Sequence, residues 1–113
     1  MGFSSYRSSL DISVMPGISR KGDTLSTGHV CAGTTTLTTP TQSTVRANGI
    51  LIARKTDKTV SHPFPPSPPC APHIAQVNIG SSTVRVVGLP VSRIGDSTDA
   101  GQLIKGSTTV RAG

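Results

Sequence analysis

The sequence contains no glutamate and no tryptophan, and its aromatic side chains are limited to Phe3, Tyr6 and Phe64. Hydrophobic residues make up 34% of the chain, and no apolar run approaches the roughly 20 residues that a membrane-spanning helix needs. No basic and then apolar stretch opens the chain, so we expect no secretory signal peptide. The scarcity of helix formers excludes a helical bundle, a coiled coil and a doubly wound nucleotide-binding domain.

Glycine, proline, serine and threonine take the place of the missing residue types. The chain has 12 glycines and 9 prolines, which favour turns, and its many threonines favour short strands. With 113 residues it has the size of a single domain. So few large side chains stabilise a core weakly, because burial contributes only about 25 cal/mol per Å² of apolar surface. We therefore predict an all-β domain that needs a further staple, such as a metal ion, a disulfide or a partner.

Positive charge exceeds negative charge, with 11 lysines and arginines against 5 aspartates and a net charge of +6. A surface that binds nucleic acid usually clusters its basic residues, often with aromatic side chains between them. Here the basic residues occur singly or in pairs, and the two pairs, Arg20-Lys21 and Arg54-Lys55, have no aromatic residue beside them. The charge therefore favours a solvated surface and leaves nucleic-acid binding as the weaker alternative.

An internal repeat covers residues 43–57 and 82–96, which align over fifteen positions without a gap. Each copy has a Thr-Val-Arg run, then a glycine, a short apolar segment and an Arg-x-x-Asp turn. Alternating polar and apolar side chains around Asn48-Gly49 predict a β-hairpin. A hairpin this small cannot bury its own apolar face, so neighbouring units must cover it. The aligned pairs are Val45 with Val84, Gly49 with Gly88, Arg54 with Arg93, and Asp57 with Asp96.

Two partial copies flank this pair. Residues 20–23 read Arg-Lys-Gly-Asp, which is the tail of an earlier unit without its front half. Residues 108–113 read Thr-Thr-Val-Arg-Ala-Gly, which is the front of a later unit without its tail. Residues 1–19 match no unit. We therefore predict an N-terminal arm at residues 1–19 and a repeat domain at residues 20–113.

Between the two complete copies lies a proline-rich segment, residues 61–73, with six prolines in thirteen positions. This density excludes a helix or a central strand and favours an extended path. A disordered linker and a ligand for a proline-binding domain are the alternatives. Because the segment also holds a cysteine and two of the three histidines, we interpret it as a preorganised loop that carries metal ligands.

Histidine and cysteine side chains are the candidate chemistry of this chain. The Cys-x-x-His spacing at residues 70–73 lets one turn supply two ligands to the same ion. Four nitrogen and sulfur ligands would complete a tetrahedral structural zinc site, the kind of staple that a weak core requires. A disulfide between the two cysteines is the alternative, and would stabilise the chain by about 2–4 kcal/mol. The candidates are His29, Cys31, His62, Cys70 and His73.

The residue content argues against an enzyme. A catalytic zinc needs an open coordination position and a nearby base, but three of the five aspartates lie in repeat turns, where aspartate makes local hydrogen bonds. Neither a nucleophile elbow nor a phosphate-binding glycine-rich loop is present. Cys31 beside a histidine could form a nucleophile pair, but this interpretation is weaker than a zinc site.

Several motifs occur in a fixed order from about residue 20 to residue 113. They are Gly22-Asp23, Gly28-His29, Asn48-Gly49, Cys70-x-x-His73 and Gly80-Ser81. Together with the repeat register, this combination resembles the PAAR (proline-alanine-alanine-arginine) repeat family. The naming motif itself is degenerate, and reads Leu-Ile-Ala-Arg at 51–54 and Pro-Val-Ser-Arg at 90–93.

The resemblance implies a small conical β-protein of short hairpin repeats, with a pseudo-threefold base and a zinc ion near its apex. Three histidines and one cysteine hold the zinc in this family. Many members carry the cysteine just after the last Gly-Asp turn, but here that place reads Asp99-Ala100-Gly101, and Ala100 cannot bind a metal. The thiolate must then come from elsewhere. The implied ligands are His29, His62, Cys70 and His73, with Cys31 as the alternative thiolate.

The resemblance also implies a function, because family members form the tip of the central spike in contractile injection machines. We therefore predict a structural tip without catalytic activity that caps a trimeric β-helical spike, one tip per trimer, and sharpens it for membrane piercing. The expected location is the baseplate spike of a virion tail or a spike secreted by a type VI-like system, in transient contact with a target membrane. No specific nucleic-acid partner is expected. The alternative is a free-standing zinc-binding interaction module that binds nucleic acid.

Overall fold

A computed structural model of the chain describes residues 15–64 and 71–113. Within these ranges the protein is built from short β-strands and turns, and no helix is long and apolar enough to cross a membrane. The predicted all-β class is therefore confirmed. The strands are β1 (Thr24–Ser26), β2 (Thr34–Thr36), β3 (Arg46–Ala47), β4 (Ile50–Leu51), β5 (His62–Phe64), β6 (Ala71–His73), β7 (Arg85–Val86), β8 (Leu89–Pro90), β9 (Ser97–Thr98) and β10 (Gly101–Leu103).

The two complete repeats form hairpins, β3 with β4 and β7 with β8. Each turn places two residues in the left-handed region, with φ of 54° and 78° at Asn48-Gly49 and 49° and 82° at Val87-Gly88. Two successive positive φ angles are typical of tight turns that match the twist of hairpin strands. The local turn residues thus determine these hairpins as the sequence predicts.

A third unit is assembled from two segments that lie far apart in the sequence. The amide of Ile18 donates a hydrogen bond to the carbonyl of Val110 (3.0 Å). In the complete units the equivalent hydrogen bonds, each 3.1 Å long, join Ile52 to Val45 and Val91 to Val84. Residues 15–23 and 107–113 therefore form one unit together.

This assembly changes the expected boundaries. Residues 20–23 and 108–113 are halves of one unit, whereas their sequence patterns predict an earlier and a later unit. Ile18 is only 4% exposed and Ser19 is fully buried, so the boundary predicted at residue 20 lies inside the folded domain. Residues 1–14 of the predicted arm lie outside the described residues.

The three units are joined by a closed cycle of backbone hydrogen bonds. The amide of Ser19 donates to the carbonyl of Ser92 (2.9 Å), Ser92 donates to Ala53 (3.0 Å), and Ala53 donates to Ser19 (3.1 Å). All three residues are fully buried, and their small side chains allow the three strands to approach closely. The cycle defines a pseudo-threefold axis in a single chain. We call the three hairpins around it the base: residues 43–52, 82–91, and 107–113 with 15–18.

The apolar side chains of the base form one of two small hydrophobic clusters. Each unit contributes equivalent positions, so the cluster itself is threefold. Since every hairpin buries its apolar face against the other two, the base requires all three units. The buried members are Ile18, Ala47, Ile52, Val86, Val91 and Ala112, with Val45, Val84 and Val110 packed against them.

Each unit leaves the base through an Arg-x-x-Asp turn, in which the arginine amide donates to the aspartate Oδ2 at 2.8 Å. From the aspartate the chain runs away from the base and then comes back, so that a later backbone amide donates a hydrogen bond to the carbonyl of the same aspartate. These bonds join Leu37 to Asp23, Val77 to Asp57, and Leu103 to Asp96. The returning residues belong to the second hydrophobic cluster. We call residues 24–36, 58–76 and 97–102 the first, second and third excursions. Strands β1, β2, β9 and β10 of the first and third excursions form one antiparallel sheet.

One of the Arg-x-x-Asp turns is strained. Thr56 has a φ of 77°, whereas the equivalent positions in the other turns are Gly22 and Gly95. A side chain in this conformation costs about 1–2 kcal/mol, partly offset by the entropy that glycine adds to the unfolded chain. We expect Thr56→Gly to raise the free energy of unfolding by about 0.5–1 kcal/mol, as measured by urea denaturation.

The matched control is the reverse substitution, Gly95→Thr. A Cβ added at Gly95 meets no atom within 4 Å, so only the backbone conformation opposes the new side chain. This variant should lose about as much stability as Thr56→Gly gains. Unchanged stability in both variants would contradict the assignment of strain to this turn.

Candidate metal centre

Three histidines and one aspartate meet where the three excursions converge. His29 follows β1 in the first excursion, and His62 and His73 lie opposite each other on the β5–β6 hairpin of the second. Asp99 occupies the turn between β9 and β10 of the third excursion, with a φ of 59° that aspartate tolerates better than most residues. Each excursion thus contributes at least one side chain to the cluster.

Glycine allows the first and third excursions to approach each other. A Cβ at Gly28 would collide with the carbonyl of Ala100, and Gly28 also has a positive φ of 74°. The amide of Ala100 donates a hydrogen bond to the carbonyl of Thr27 (3.0 Å) at the same contact. This close approach places His29 beside Asp99.

All three imidazoles direct the same nitrogen at one carboxylate. Nε2 of His29 and Nε2 of His62 lie 2.9 Å and 2.8 Å from Oδ2 of Asp99. Nε2 of His73 lies 3.3 Å from Oδ1 of the same residue. One ligand atom from each of the four side chains lies within 4.8 Å of the others. The cluster therefore has the size of a single-ion site.

The cluster is largely shielded from water. The side chains of His29, His62 and Asp99 are 8%, 3% and 6% exposed, whereas His73 is 28% exposed. The His29 and His62 rings stack with their centroids 5.2 Å apart and a 12° angle between their planes. Burial and stacking hold the imidazoles in fixed orientations, with His73 on the more open side.

Outer hydrogen bonds leave the same ring nitrogen of two histidines to face the carboxylate. Nδ1 of His62 lies 2.8 Å from the carbonyl of Val60, and Nδ1 of His29 lies 3.1 Å from the carbonyl of Val30. A carbonyl can only accept, so each Nδ1 carries a hydrogen. In the contact with the carboxylate Nε2 also donates a hydrogen, and a bound cation would take the place of that hydrogen. Histidines that bind a metal commonly donate their other ring N–H to a carbonyl in this way.

Two opposing effects act on the Asp99 carboxyl. Burial raises its pKa, but hydrogen bonds with His29, His62 and His73 and the charge of His29 outweigh burial and lower the pKa below 3.8. Because the folded value is the lower one, ionised Asp99 stabilises the metal-free fold above the unfolded pKa. This contribution is lost as the pH falls through the lowered value. Asp99 is therefore an anion at neutral pH, as a metal ligand must be.

The structure brings together three of the four predicted ligands: His29, His62 and His73. The fourth, Cys70, lies outside the described residues. Cys31, the alternative thiolate, is disulfide-bonded and so has no thiolate to offer a metal. The carboxylate of Asp99 was not predicted as a ligand.

A signal for Asp99 was nevertheless present in the sequence. It stands directly before Ala100, at the place where the family resemblance implies a cysteine. Because the resemblance implied a thiolate at this place, the neighbouring aspartate was not predicted as a ligand. A carboxylate in that turn is the observation that could have identified it, since zinc also accepts aspartate oxygen.

The donor set of three imidazole nitrogens and one carboxylate oxygen fits a four-coordinate metal. Bonds of about 2.0–2.2 Å to nitrogen and oxygen place tetrahedral ligand atoms about 3.3–3.5 Å apart. The nitrogen–oxygen distances of 2.8, 2.9 and 3.3 Å are close to this value. The His/Asp cluster could therefore hold a metal ion with only small side-chain shifts.

These features define a class of protein: a triplicated β-domain that carries a candidate metal centre on its three excursions. The family described as PAAR motif matches residues 21–106, which include all four cluster residues, two complete Arg-x-x-Asp turns and all of the first turn except Arg20. The chain belongs to the PAAR-motif family. A search of curated proteins finds no match.

Family membership gives the chain its general role. PAAR-motif proteins are structural spike-tip components of contractile injection systems rather than known enzymes, and they bind a spike protein. The chain is thus a spike-tip protein, and the predicted family is confirmed.

Proposed function

We propose that this chain caps the blunt end of a trimeric β-helical spike, one tip per trimer, and forms a rigid point for membrane piercing. The cycle of hydrogen bonds through Ser19, Ala53 and Ser92 is the observation that carries the proposal. A trimer presents the same surface three times around its axis. A single chain can match that surface only if it repeats its own contacts around an axis.

The fronts of the three base hairpins support this match, because each is held by the same local device. Oxygen atoms of Gln42, Ser81 and Ser107 accept hydrogen bonds from the amides two and three residues later. The end of a β-helix exposes unpaired strand edges, which associate with other strands unless they are covered. Three equivalent fronts would cover three equivalent edges.

The metal centre has a structural role in this proposal. His29, His62, His73 and Asp99 would hold a zinc ion, which supplies a closed set of strong bonds between the three excursions. Asp99 takes the place of the predicted Cys70 in this proposal, because the chain has only two cysteines and Cys31 is disulfide-bonded. The ion would stabilise the place where the three excursions converge. A point that must transmit force requires this rigidity.

The location follows from the same role. The tip would lie at the end of a phage-tail spike, or at the end of a spike that a type VI-like system secretes, and would contact the target membrane only during injection.

The stoichiometry of the complex tests the capping proposal. The purified chain is mixed with the trimeric β-helical spike protein of its own injection machine, and the mass of the complex is measured by light scattering. We expect one tip chain per trimer. Three tip chains per trimer, or no complex at all, would contradict the proposal.

Two substitutions with equal exposure and equal charge change identify the binding face. Val87 in a base turn and Ile74 in the second excursion are each 59% exposed. Val87→Asp should abolish the complex, and it should not unfold the chain because aspartate tolerates the positive φ at this position. Ile74→Asp should bind the spike as the unmodified chain does. The opposite result would place the binding face on the excursions.

A further inference from the structure

The acidic side chains of the described residues are all buried. Asp23, Asp57 and Asp96 lie in the Arg-x-x-Asp turns and are at most 7% exposed, and the Asp99 side chain is 6% exposed. Lysines 21, 55, 58 and 105 are exposed. The side-chain charges that the described residues present to a partner are therefore positive.

Three arginines of the base occupy equivalent positions. Arg46, Arg85 and Arg111 each follow the valine of a Thr-Val-Arg run. Nη1 of each arginine donates a hydrogen bond to a backbone carbonyl of its own unit. This carbonyl lies three positions before the buried residue Ile52, Val91 or Ile18. These carbonyls belong to Gly49 (3.3 Å), Gly88 (3.2 Å) and Met15 (3.0 Å).

The same three guanidinium groups have no carboxylate partner among the described residues. The arginines of the three Arg-x-x-Asp turns, Arg20, Arg54 and Arg93, instead form ion pairs with the aspartates of their own turns. Arg46 and Arg85 are exposed, and Arg111 is half-buried. The carbonyl fixes one nitrogen of each guanidinium, and Nη2 of Arg111 also donates to the carbonyl of Thr108 (3.0 Å). These bonds orient the planar groups and leave further N–H donors for a partner.

The lysines show that threefold repetition is not a general property of the positive surface. Lys21 and Lys55 are equivalent to each other, but the third position is Ile94. Lys58 is equivalent to Thr24 and Ser97. Charge that serves solubility has no need of symmetry, whereas charge that meets a trimer must occur three times.

We propose that Arg46, Arg85 and Arg111, the arginine triad, bind three carboxylates, one from each chain of the spike trimer. This inference rests on the proposed capping function and adds the chemistry of the partner surface. A guanidinium binds a carboxylate through two parallel hydrogen bonds, which gives both affinity and a defined orientation. The partner surface is thus an acidic ring around the end of the spike.

Two triple variants with the same loss of charge test the triad. One is Arg46→Gln, Arg85→Gln and Arg111→Gln; the other is Lys21→Gln, Lys55→Gln and Lys58→Gln. Affinity for the purified spike trimer is measured by calorimetry at several salt concentrations. Loss of a charge-assisted hydrogen bond should weaken binding about tenfold per arginine, and the salt dependence should become shallower. The lysine variant should stay within about threefold of the unmodified chain.

A third variant with all three arginines changed to lysine separates charge from geometry. It keeps the charge but loses the planar fork, so its affinity should lie between those of the unmodified chain and the glutamine variant. Thermal denaturation of every variant shows whether the base remains folded. Arg46 and Arg85 are exposed and Arg111 is half-buried, so the melting temperatures of the variants should stay close to that of the unmodified chain.

The outcomes distinguish this inference from the capping proposal. If the unmodified chain does not bind the trimer, the capping proposal fails and the triad proposal fails with it. If the chain binds but the arginine variants bind equally well, the triad proposal alone is wrong. Random-sequence duplex DNA is titrated in parallel: a triad that affects DNA binding and not spike binding would assign these arginines to nucleic acid and overturn the proposal.

Discussion

Asp99→Asn should reduce bound zinc from one ion per chain to less than a tenth of an ion. The amide has nearly the same shape as the carboxylate but no negative charge, so three neutral imidazoles would have to hold a divalent cation without an anionic ligand. Loss of a group that only hydrogen-bonds to a metal ligand already lowers metal affinity about 10- to 100-fold. Loss of a ligand itself should therefore lower the affinity at least about 100-fold. Elemental analysis and zinc titration by calorimetry measure the effect.

Asp99→Cys is the matched control, because it replaces the carboxylate with the thiolate that zinc also accepts. This variant should bind one zinc per chain, and its cobalt derivative should show a sulfur-to-metal charge-transfer band that the unmodified protein lacks. If Asp99→Asn keeps one tightly bound zinc, the carboxylate is not a ligand and the proposed donor set is wrong.

Metal binding should also raise the free energy of unfolding. A ligand that binds only the folded state at a free concentration 1,000 times its Kd stabilises that state by about 4 kcal/mol. The unmodified protein should lose this increment when a chelator is added, whereas Asp99→Asn should be insensitive to the chelator.

Ile18→Ala should lower the free energy of unfolding by about 3 kcal/mol, a large share of the 5–15 kcal/mol typical of a small domain. Ile18 is 4% exposed and belongs to the third unit. Its side chain packs in the hydrophobic cluster of the base. Truncation leaves a cavity at a position whose backbone is already fixed by the hydrogen bond to Val110. Urea denaturation measures the change.

Ile94→Ala removes the same atoms from a site that is 38% exposed, and should cost less than about 1 kcal/mol. Equal losses in the two variants would mean that residues 15–18 are not part of the base. A loss at Ile18 alone would support the split unit, since a dispensable arm would tolerate the substitution.

The predictable part of the fold is the part that short segments determine. The hairpins at residues 43–57 and 82–96 follow from alternation and from turn residues such as Asn48-Gly49, which act over a few positions. The third unit could not be predicted in the same way. Its halves carry the right local patterns, but only the hydrogen-bond cycle through Ser19 shows that they belong together.

The site shows the same division. Resemblance selected His29, His62 and His73, and the structure groups them, but their common direction toward one carboxylate depends on how the three excursions converge. Asp99 was missed because its residue type differs from the expected thiolate. Aspartate in a turn also has a sufficient local explanation, since it tolerates the backbone conformation that the turn needs.

The split unit affects how the chain folds during its synthesis. Arg111 hydrogen-bonds to the carbonyl of Met15, 96 positions earlier, so the ring of hairpins cannot close until residue 111 has left the ribosome. Contacts between such distant segments form slowly, because a long loop must be closed before they contribute. A chain that lacks residues 107–113 would have two hairpins and an open gap. It could not present the threefold surface on which the capping proposal depends.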